Sequence, residues 1–205
     1  MSPSFIYLAS QSPRRTGLLK QLGLRFEVVN APADENLQAR ESPQDYVLRA
    51  ARQKVAAAVQ GLGGHPSAPV LAADTVVVID GVILRKPCDR GDALTMLARL
   101  SGRSHEVLSG LALWTPVDIL QALSTSRVNF RAITPEEMAA YWDSGEPADK
   151  AGGYAIQGLG ALFVERLEGS YSGVMGLPLF ETAQLLRAAG IAVLGGDQSG
   201  EGVRK

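Results

Sequence analysis

The sequence predicts an α/β fold in which a mixed central sheet is flanked by helices and two lobes border a cleft. Three observations carry that reading. Short apolar runs alternate with segments of helical periodicity, beginning with Phe5-Ile6-Tyr7-Leu8-Ala9, as expected where helices pack on a sheet. Residues 69–79 are apolar except for Asp74 and Thr75, the signature of a strand covered on both faces. The turn signal Asp80-Gly81 before Val82-Ile83-Leu84, and two long neighbouring strands at residues 107–114 and 120–130, make the sheet mixed rather than purely parallel. With 205 residues, 46% of them hydrophobic, the chain can bury a substantial core as one large domain or two small lobes.

Taken in order, residues 5–9 form the first strand, Ser10-Gln11-Ser12-Pro13 breaks it as a polar loop, and residues 14–22 turn helical before Gly23. Phe26-Glu27-Val28-Val29 is a second strand, followed by the acidic loop Ala33-Asp34-Glu35-Asn36. Ser42 as N-cap, Pro43 at the first helical position and Asp45 three residues after the cap start a helix reaching about residue 60. Residues 61–67 are a loop, and after the hairpin at Asp80-Gly81 a helix covers 91–100 with Gly102 beyond its end. Thr134-Pro135-Glu136-Glu137 starts a helix with a capping-box glutamate, ending near Gly145. Residues 146–160 form a polar, glycine-containing loop too long for a simple connection, and such loops carry function. A strand at 162–167 and a helix at 178–189 close a domain spanning 1–194, and the polar tail 195–205 is expected to be disordered.

Composition excludes several classes. A formal charge of −1 gives no sequence-independent pull toward nucleic acid or anionic lipid, so local basic clusters point to a small anionic ligand. Cys88 is the single cysteine and His65 and His105 the two histidines, which rules out a disulfide framework and a Cys/His metal centre. No apolar stretch approaches the roughly 18 residues of a membrane span, and no basic n-region with an apolar core opens the chain. A cytoplasmic location is the expectation.

Asp74 is the most informative residue. An ionised carboxylate inside a covered strand needs partners, and Arg14, Arg15, Lys54 and Lys86 offer cations in separated places along the chain. A buried acid facing several cations suits a polyphosphate and its metal; taken alone, it equally suits a structural ion pair. Ser10 and Ser12 lie between the first strand and helix, where free N–H groups and the positive helix end favour an anion. Each remaining candidate has a plain alternative: Lys54 as part of an exposed helix face beside Arg49 and Arg52, Lys86 as a strand-edge lysine, Glu35 as a solvated acid, Gln157 as a loop amide, Thr75 as a strand threonine opposite Asp74.

In order, Leu8-Ala9-Ser10-Gln11-Ser12-Pro13-Arg14-Arg15, Asp34-Glu35, Tyr46-Val47-x-Arg49 with Lys54, Ala73-Asp74-Thr75-Val76-Val77, Leu84-x-Lys86-Pro87, Ser101-Gly102-x-x-His105-x-Val107, Asp149-Lys150-Ala151-Gly152-x-Tyr154-x-Ile156-Gln157-Gly158 and Gly176-Leu177-Pro178 together resemble the Maf family of nucleoside triphosphate pyrophosphatases. Ser-Pro-Arg-Arg, Asp-Thr and Ile-Gln-Gly are similar to its dTTP- and UTP-hydrolysing branch. Arg85, Val55 and Ser109 depart from the pattern without removing a functional side chain. The resemblance implies a fold related to the inosine triphosphate pyrophosphatases and hydrolysis between the α and β phosphates with Mg²⁺, or Mn²⁺ in its place. It implies Asp74 as base and metal ligand and Glu35 as a second metal ligand. Arg15, Lys54 and Lys86 become phosphate clamps assisted by Ser10 and Ser12, and Arg14, Thr75 and Gln157 read the base. It further implies a small-molecule nucleotide substrate, no nucleic-acid or membrane partner, and a homodimer. The alternatives are a purine or non-standard nucleotide pyrophosphatase of the inosine triphosphatase type and a non-enzymatic regulator of septum formation.

Overall fold

The computed structural model describes residues 5–32 and 36–193; the expectations for Glu35 and the tail 195–205 lie outside the described residues. Strands β1 (Ile6–Ala9), β2 (Phe26–Val29), β3 (Val70–Ile79), β4 (Val82–Leu84), β5 (Ser104–Trp114), β6 (Ile119–Phe130) and β7 (Val164–Glu168) form one sheet ordered β2-β1-β3-β5-β6-β7, with β4 paired to β3. β1 runs parallel to β2 and β3, and every other pairing is antiparallel, so the sheet is mixed as the sequence predicts. The helices are α1 (Pro13–Gln21), α2 (Pro43–Gly61), α3 (Arg90–Leu100), α4 (Pro135–Asp143), α5 (Tyr171–Met175) and α6 (Leu179–Ala188). Among the described residues no helix is long and apolar enough to cross a membrane.

α2 explains how one face is covered. Its N-cap Ser42 accepts from the Asp45 N–H, and Pro43 fits the first turn. Its buried residues fall on the rows Tyr46, Ala50, Ala58 and Val47, Ala51, Val55, the i, i+4 spacing of a sheet-facing stripe. Lys54 lies on the first of these rows, between Ala50 and Ala58. The alanines bring the helix axis close to the sheet. Where it crosses β5 the sheet presents Gly110, at which a Cβ would stand 2.5 Å from the Val47 carbonyl oxygen.

The core is divided at one place on each sheet face. On the α2 side, Val70 and Ala72 pack with Ala51, Val55 and Ala58, whereas Val76 and Val78 pack with Tyr46, Val47 and Leu108. On the other side, Leu71 and Ala73 join Leu18, Leu19 and Leu186 of α1 and α6, whereas Val77 and Ile79 join Leu97 and Leu100 of α3 and Met138 of α4. Asp74 stands at the first division and Thr75 at the second. The two lobes therefore share β3, and the polar dipeptide marks their seam.

Three expectations need correction. Residues 146–160 are not an open loop: they wind through the 3₁₀ turns Glu146–Asp149 and Ala151–Gly153 into a third, Leu159–Phe163. The strand expected from residue 162 begins at Val164, because Phe163 belongs to that last turn and buries its ring against Tyr141 and Phe130. The short helix α5, capped by Ser170 accepting from Gly173, carries too little periodicity to be read from sequence. β5 also starts earlier than residue 107, at Ser104, since the polar His105 is buried between Phe130 and Tyr154.

Candidate active site

The site follows from an interruption in strand pairing. Along one edge β3 pairs with β5 from Val70 to Val78, but along the other it pairs with β1 only at Val70 and Leu71 and with β4 only from Val77. Among the described residues the stretch between, 72–76, has no strand on that side. A slit through the sheet edge results, and side chains from both faces reach it. Hence Asp74 and Thr75, which alternate across the strand, line the same cleft, of about 550 Å³.

Asp74 is 7% exposed and its Oδ1 accepts from the Lys54 ammonium at 2.6 Å. The ion pair offsets much of the cost of burying either charge, and its geometry requires α2 to lie close to β3. Both members face the cleft. The exposed-face reading of Lys54 fails, because its i, i+4 position places it on the sheet-facing row.

The β1–α1 loop forms the second wall. Ser12 occupies the N-cap of α1 with extended backbone but makes no side-chain cap bond, which leaves first-turn N–H groups for another acceptor. Ser10 is nearly buried, and its Oγ accepts from the Ser12 N–H at 3.2 Å and from Arg15 Nη1 at 3.4 Å. Arg15 is built into the wall: Nε donates to the Gly176 carbonyl at 2.7 Å and Nη2 to Thr75 Oγ1 at 3.3 Å. Thr75 shares a 2.7 Å hydrogen bond with Ser109 Oγ, which in turn donates to the Gly173 carbonyl. The chain Ser10, Arg15, Thr75, Ser109 thus ties the β1–α1 loop to β3, β5 and α5.

The third wall contains Arg85, Lys86 and the 146–160 segment. Lys86 is exposed at the cleft and has no ion-pair partner among the described residues. Gln157 projects from a turn at the cleft. The segment is organised by Glu146, which sequence reasoning passed over. Its Oε1 accepts from Tyr141 Oη at 2.6 Å and from the Gly160 N–H at 3.0 Å, and its Oε2 from the Leu159 N–H at 2.9 Å. A Cβ at Gly158 would collide with that carboxylate. Burial pushes the Glu146 carboxyl up, but the bonds from Tyr141, Gly160 and Leu159 and the Lys150 charge outweigh it and hold the group below its ordinary value. Tyr154, also in the segment, bonds through Oη to His105 Nε2 at 2.8 Å, and burial pushes that imidazole down to about 4, so it is neutral near pH 7.

Glu146→Gln is accordingly expected to destabilise the fold by about 1 to 3 kcal/mol, since one amide N–H₂ must face backbone or hydroxyl donors. Because the folded pKa is lowered, this stabilisation is present above the ordinary carboxylate range and is lost as pH falls through the depressed value. Thermal melts from pH 7 to pH 3 check this: the gap between wild type and variant should narrow on acidification. A gap constant with pH would remove the ionised carboxylate from the account.

Ser10, Ser12, Arg14, Arg15, Lys54, Asp74, Thr75, Lys86 and Gln157 all line this one cleft, and Glu35 lies outside the described residues. Arg14 meets Asp149 across the mouth at 3.8 Å. The family described as Maf-like protein matches residues 5–189. This chain belongs to that family. The matched region contains every wall of the cleft. A "dTTP/UTP pyrophosphatase" of Burkholderia pseudomallei is 54% identical over 198 residues, covering 92% of this chain and 95% of its own. One so named from Methylobacillus flagellatus is 52% identical over 190 residues, covering 93% of this chain and 95% of its own. The Staphylococcus aureus Ham1 protein structure aligns with 61% of this chain and 71% of its own at a TM-score of 0.45 and 14% identity.

The residues present fit a hard divalent cation of the kind this family implies. Among the described residues no group of three His, Cys, Asp or Glu side chains gathers to cage a metal. What the cleft offers is the carboxylates of Asp74 and Asp149 beside several cations. That donor set suits Mg²⁺, which is held by one or two carboxylates with phosphate oxygens and water completing its shell. It would not retain zinc by itself.

Proposed function

We propose that this protein hydrolyses dTTP and UTP to the monophosphate and pyrophosphate. The observation that carries the reading is the Asp74–Lys54 pair opening into a cationic cleft, within a chain about half identical over nearly its full length to proteins named for that activity. Around the cleft stand Arg14, Arg15, Lys54, Arg85, Lys86 and Lys150 against the carboxylates of Asp74 and Asp149. The chain carries a net charge of −1, so the cation excess is local and focuses attraction on a polyanion.

In this reading Lys54, Lys86 and Arg15 hold the triphosphate, with Ser10, Ser12 and the first turn of α1 donating further hydrogen bonds. Asp74 takes the proton of a water whose oxygen attacks the α phosphorus. The bond from that phosphorus to the α–β bridging oxygen breaks, and pyrophosphate leaves against the cations of Lys86 and Arg15. Asp74 and Glu35 would hold the divalent metal, Mg²⁺ with Mn²⁺ as substitute, which when bound supplies charge neutralisation at the phosphates. The exposed Cys88 as the single cysteine suits action in the reducing cytoplasm.

Base choice falls to Gln157, Arg14 and Thr75. The Thr75 hydroxyl is already committed to Arg15 and Ser109, so Thr75 shapes the base pocket rather than reading an edge. Gln157 makes no side-chain hydrogen bond among the described residues and offers one donor and one acceptor to the imide edge of thymine or uracil. Cytosine would leave polar groups unpaired at roughly 1 to 3 kcal/mol each, about 10- to 100-fold in kcat/KM. The test is product analysis and kcat/KM for dTTP, UTP, CTP and GTP with Mg²⁺. Monophosphate and pyrophosphate should appear in equal amounts, dTTP and UTP should lead, and Gln157→Glu should erode their advantage. Diphosphate with orthophosphate would show that a different bond is cut, and undiminished discrimination by Gln157→Glu would remove that residue from base reading.

A further inference from the structure

Asp149 and Lys150 stand where two walls of the cleft meet, and neither has a role in the chemistry above. Backbone bonds fix Lys150 from both sides: its N–H donates to the Pro147 carbonyl at 3.1 Å and its carbonyl accepts from the Gly153 N–H at 3.0 Å. Two residues on, the Gly152 N–H donates to the Arg85 carbonyl at 3.0 Å, which ties this turn to the loop bearing Lys86. The Lys150 side chain is 14% exposed and that of Asp149 69%. The Asp149 carboxylate takes the Lys150 ammonium on Oδ1 and the Arg14 guanidinium, at 3.8 Å, on Oδ2. One solvated carboxylate therefore neutralises two cleft cations and bridges α1 to the opposite wall.

This arrangement is unbalanced in a telling way. The lysine is held inward by its backbone, whereas its counterion is the exposed member of the pair. An ion pair with an exposed carboxylate contributes little, and charge-assisted bonds to phosphate oxygens are stronger. A polyanion entering the cleft competes for Lys150 on favourable terms, and displacement of Asp149 also frees Arg14 for the base. The hydrogen bond from Lys150, with the Arg14 charge adding to it, holds the Asp149 carboxyl below its ordinary value.

Resting on the reading that the cleft takes a nucleoside triphosphate, we infer that Lys150 is a further phosphate-binding residue and that Asp149 is its exchangeable counterion, holding Lys150 and Arg14 until the polyphosphate displaces it. The two neighbours then have opposite effects on binding. Removing the Lys150 charge takes away a phosphate donor. Removing the Asp149 charge takes away a competitor, so polyphosphate binds tighter and product leaves more slowly. A pair that merely braces the turn would shift both variants the same way.

The experiment is calorimetric titration of the full chain with inorganic tripolyphosphate, alongside thermal melts and dTTP kinetics. Lys150→Gln should bind about tenfold more weakly, and Lys150→Arg should remain within about threefold of wild type. Asp149→Asn should bind about two- to fivefold tighter, with KM and kcat for dTTP both lowered. Wild-type affinity in Lys150→Gln, or weakened binding in a folded Asp149→Asn, would overturn the inference. If Lys150→Gln fails to fold, Asp149→Asn alone decides by the sign of its shift. Opposite shifts in tripolyphosphate binding without dTTP hydrolysis by the wild type would sink the proposed reaction and keep this inference; hydrolysis without those shifts would do the reverse.

Discussion

Asp74→Asn should lower pyrophosphate release from dTTP by about 10²- to 10⁴-fold, the usual cost of losing a positioned general base, while the protein stays folded. The substitution keeps an oxygen that can accept from Lys54, whose ammonium now reaches Asp74 Oδ1 at 2.6 Å. What disappears is the negative charge. The stability cost should stay near about 1 to 2 kcal/mol, or a few degrees of Tm, because the site opens to a wet cleft instead of a sealed core. Lys54→Met behaves differently: it strands a carboxylate that is 7% exposed, and although the open cleft keeps the cost below the about 3 to 5 kcal/mol of a sealed core, it should exceed that of Asp74→Asn, so Asp74→Asn is the cleaner variant. Single-turnover assays on protein of verified fold check the first variant. Wild-type rates in folded Asp74→Asn would remove Asp74 from both base and metal roles. A normal burst of bound product followed by slow release would show that the chemical step had not slowed and would likewise remove Asp74 as the base.

The elements were legible where a local signal coincided with burial. β3 announces itself because its ten residues are covered on both faces except at the seam, and α2 and α4 carry their caps in plain sequence, the latter with a complete capping box. The cleft was legible as a set of residues but not as a place. That Asp74 and Thr75 line one cleft from opposite faces depends on β1 pairing with β3 no further than Leu71 and β4 ending at Leu84, opposite Val77, which leaves an edge open between them. Nothing local to either residue encodes that gap. Lys54 was obscured for another reason: Arg49 and Arg52 make the helix look solvated, whereas the row Tyr46, Ala50, Ala58 turns position 54 inward.

Glu146 and the turns it organises were hidden by their polarity. A segment rich in glycine and charge reads as an open loop, yet three hydrogen bonds to one carboxylate wind it tightly. A glutamate four residues before a Lys-Ala-Gly-Gly run was the available signal, and its meaning depends on Tyr141 arriving from α4. His105 shows the same limit. It is buried beside Phe130 and Tyr154, and its polarity concealed the start of β5. Arg15 also changes standing: as a strut to Gly176 and Thr75, it holds the cleft walls in register besides lining the cleft.

Gly110→Ala should damage the fold severely through a single methyl group. Gly110 pairs with Asp74 across the sheet, and a Cβ there would stand 2.5 Å from the Val47 carbonyl oxygen, 2.6 Å from its carbon and 2.9 Å from the Leu48 nitrogen. All three atoms are backbone of α2, so no rotamer change relieves the contact and the helix itself must move off the sheet. Overpacking of this kind costs about 3 kcal/mol, a fall of roughly 10 °C in Tm for a chain of this size. Displacing α2 also withdraws Lys54, about two helical turns further along, from Asp74, so turnover should fall beyond what unfolded protein accounts for. The control is Gly17→Ala in α1, where nothing lies within 4 Å of a built Cβ and the change should stabilise by about 0.5 to 1 kcal/mol through helix propensity. Calorimetric melts and dTTP kinetics below the transition measure both. Should Gly110→Ala melt with the wild type and turn over dTTP normally, α2 would not be seated on β5 at this point, and the helix–sheet contact that sets the Lys54–Asp74 distance would have to lie elsewhere.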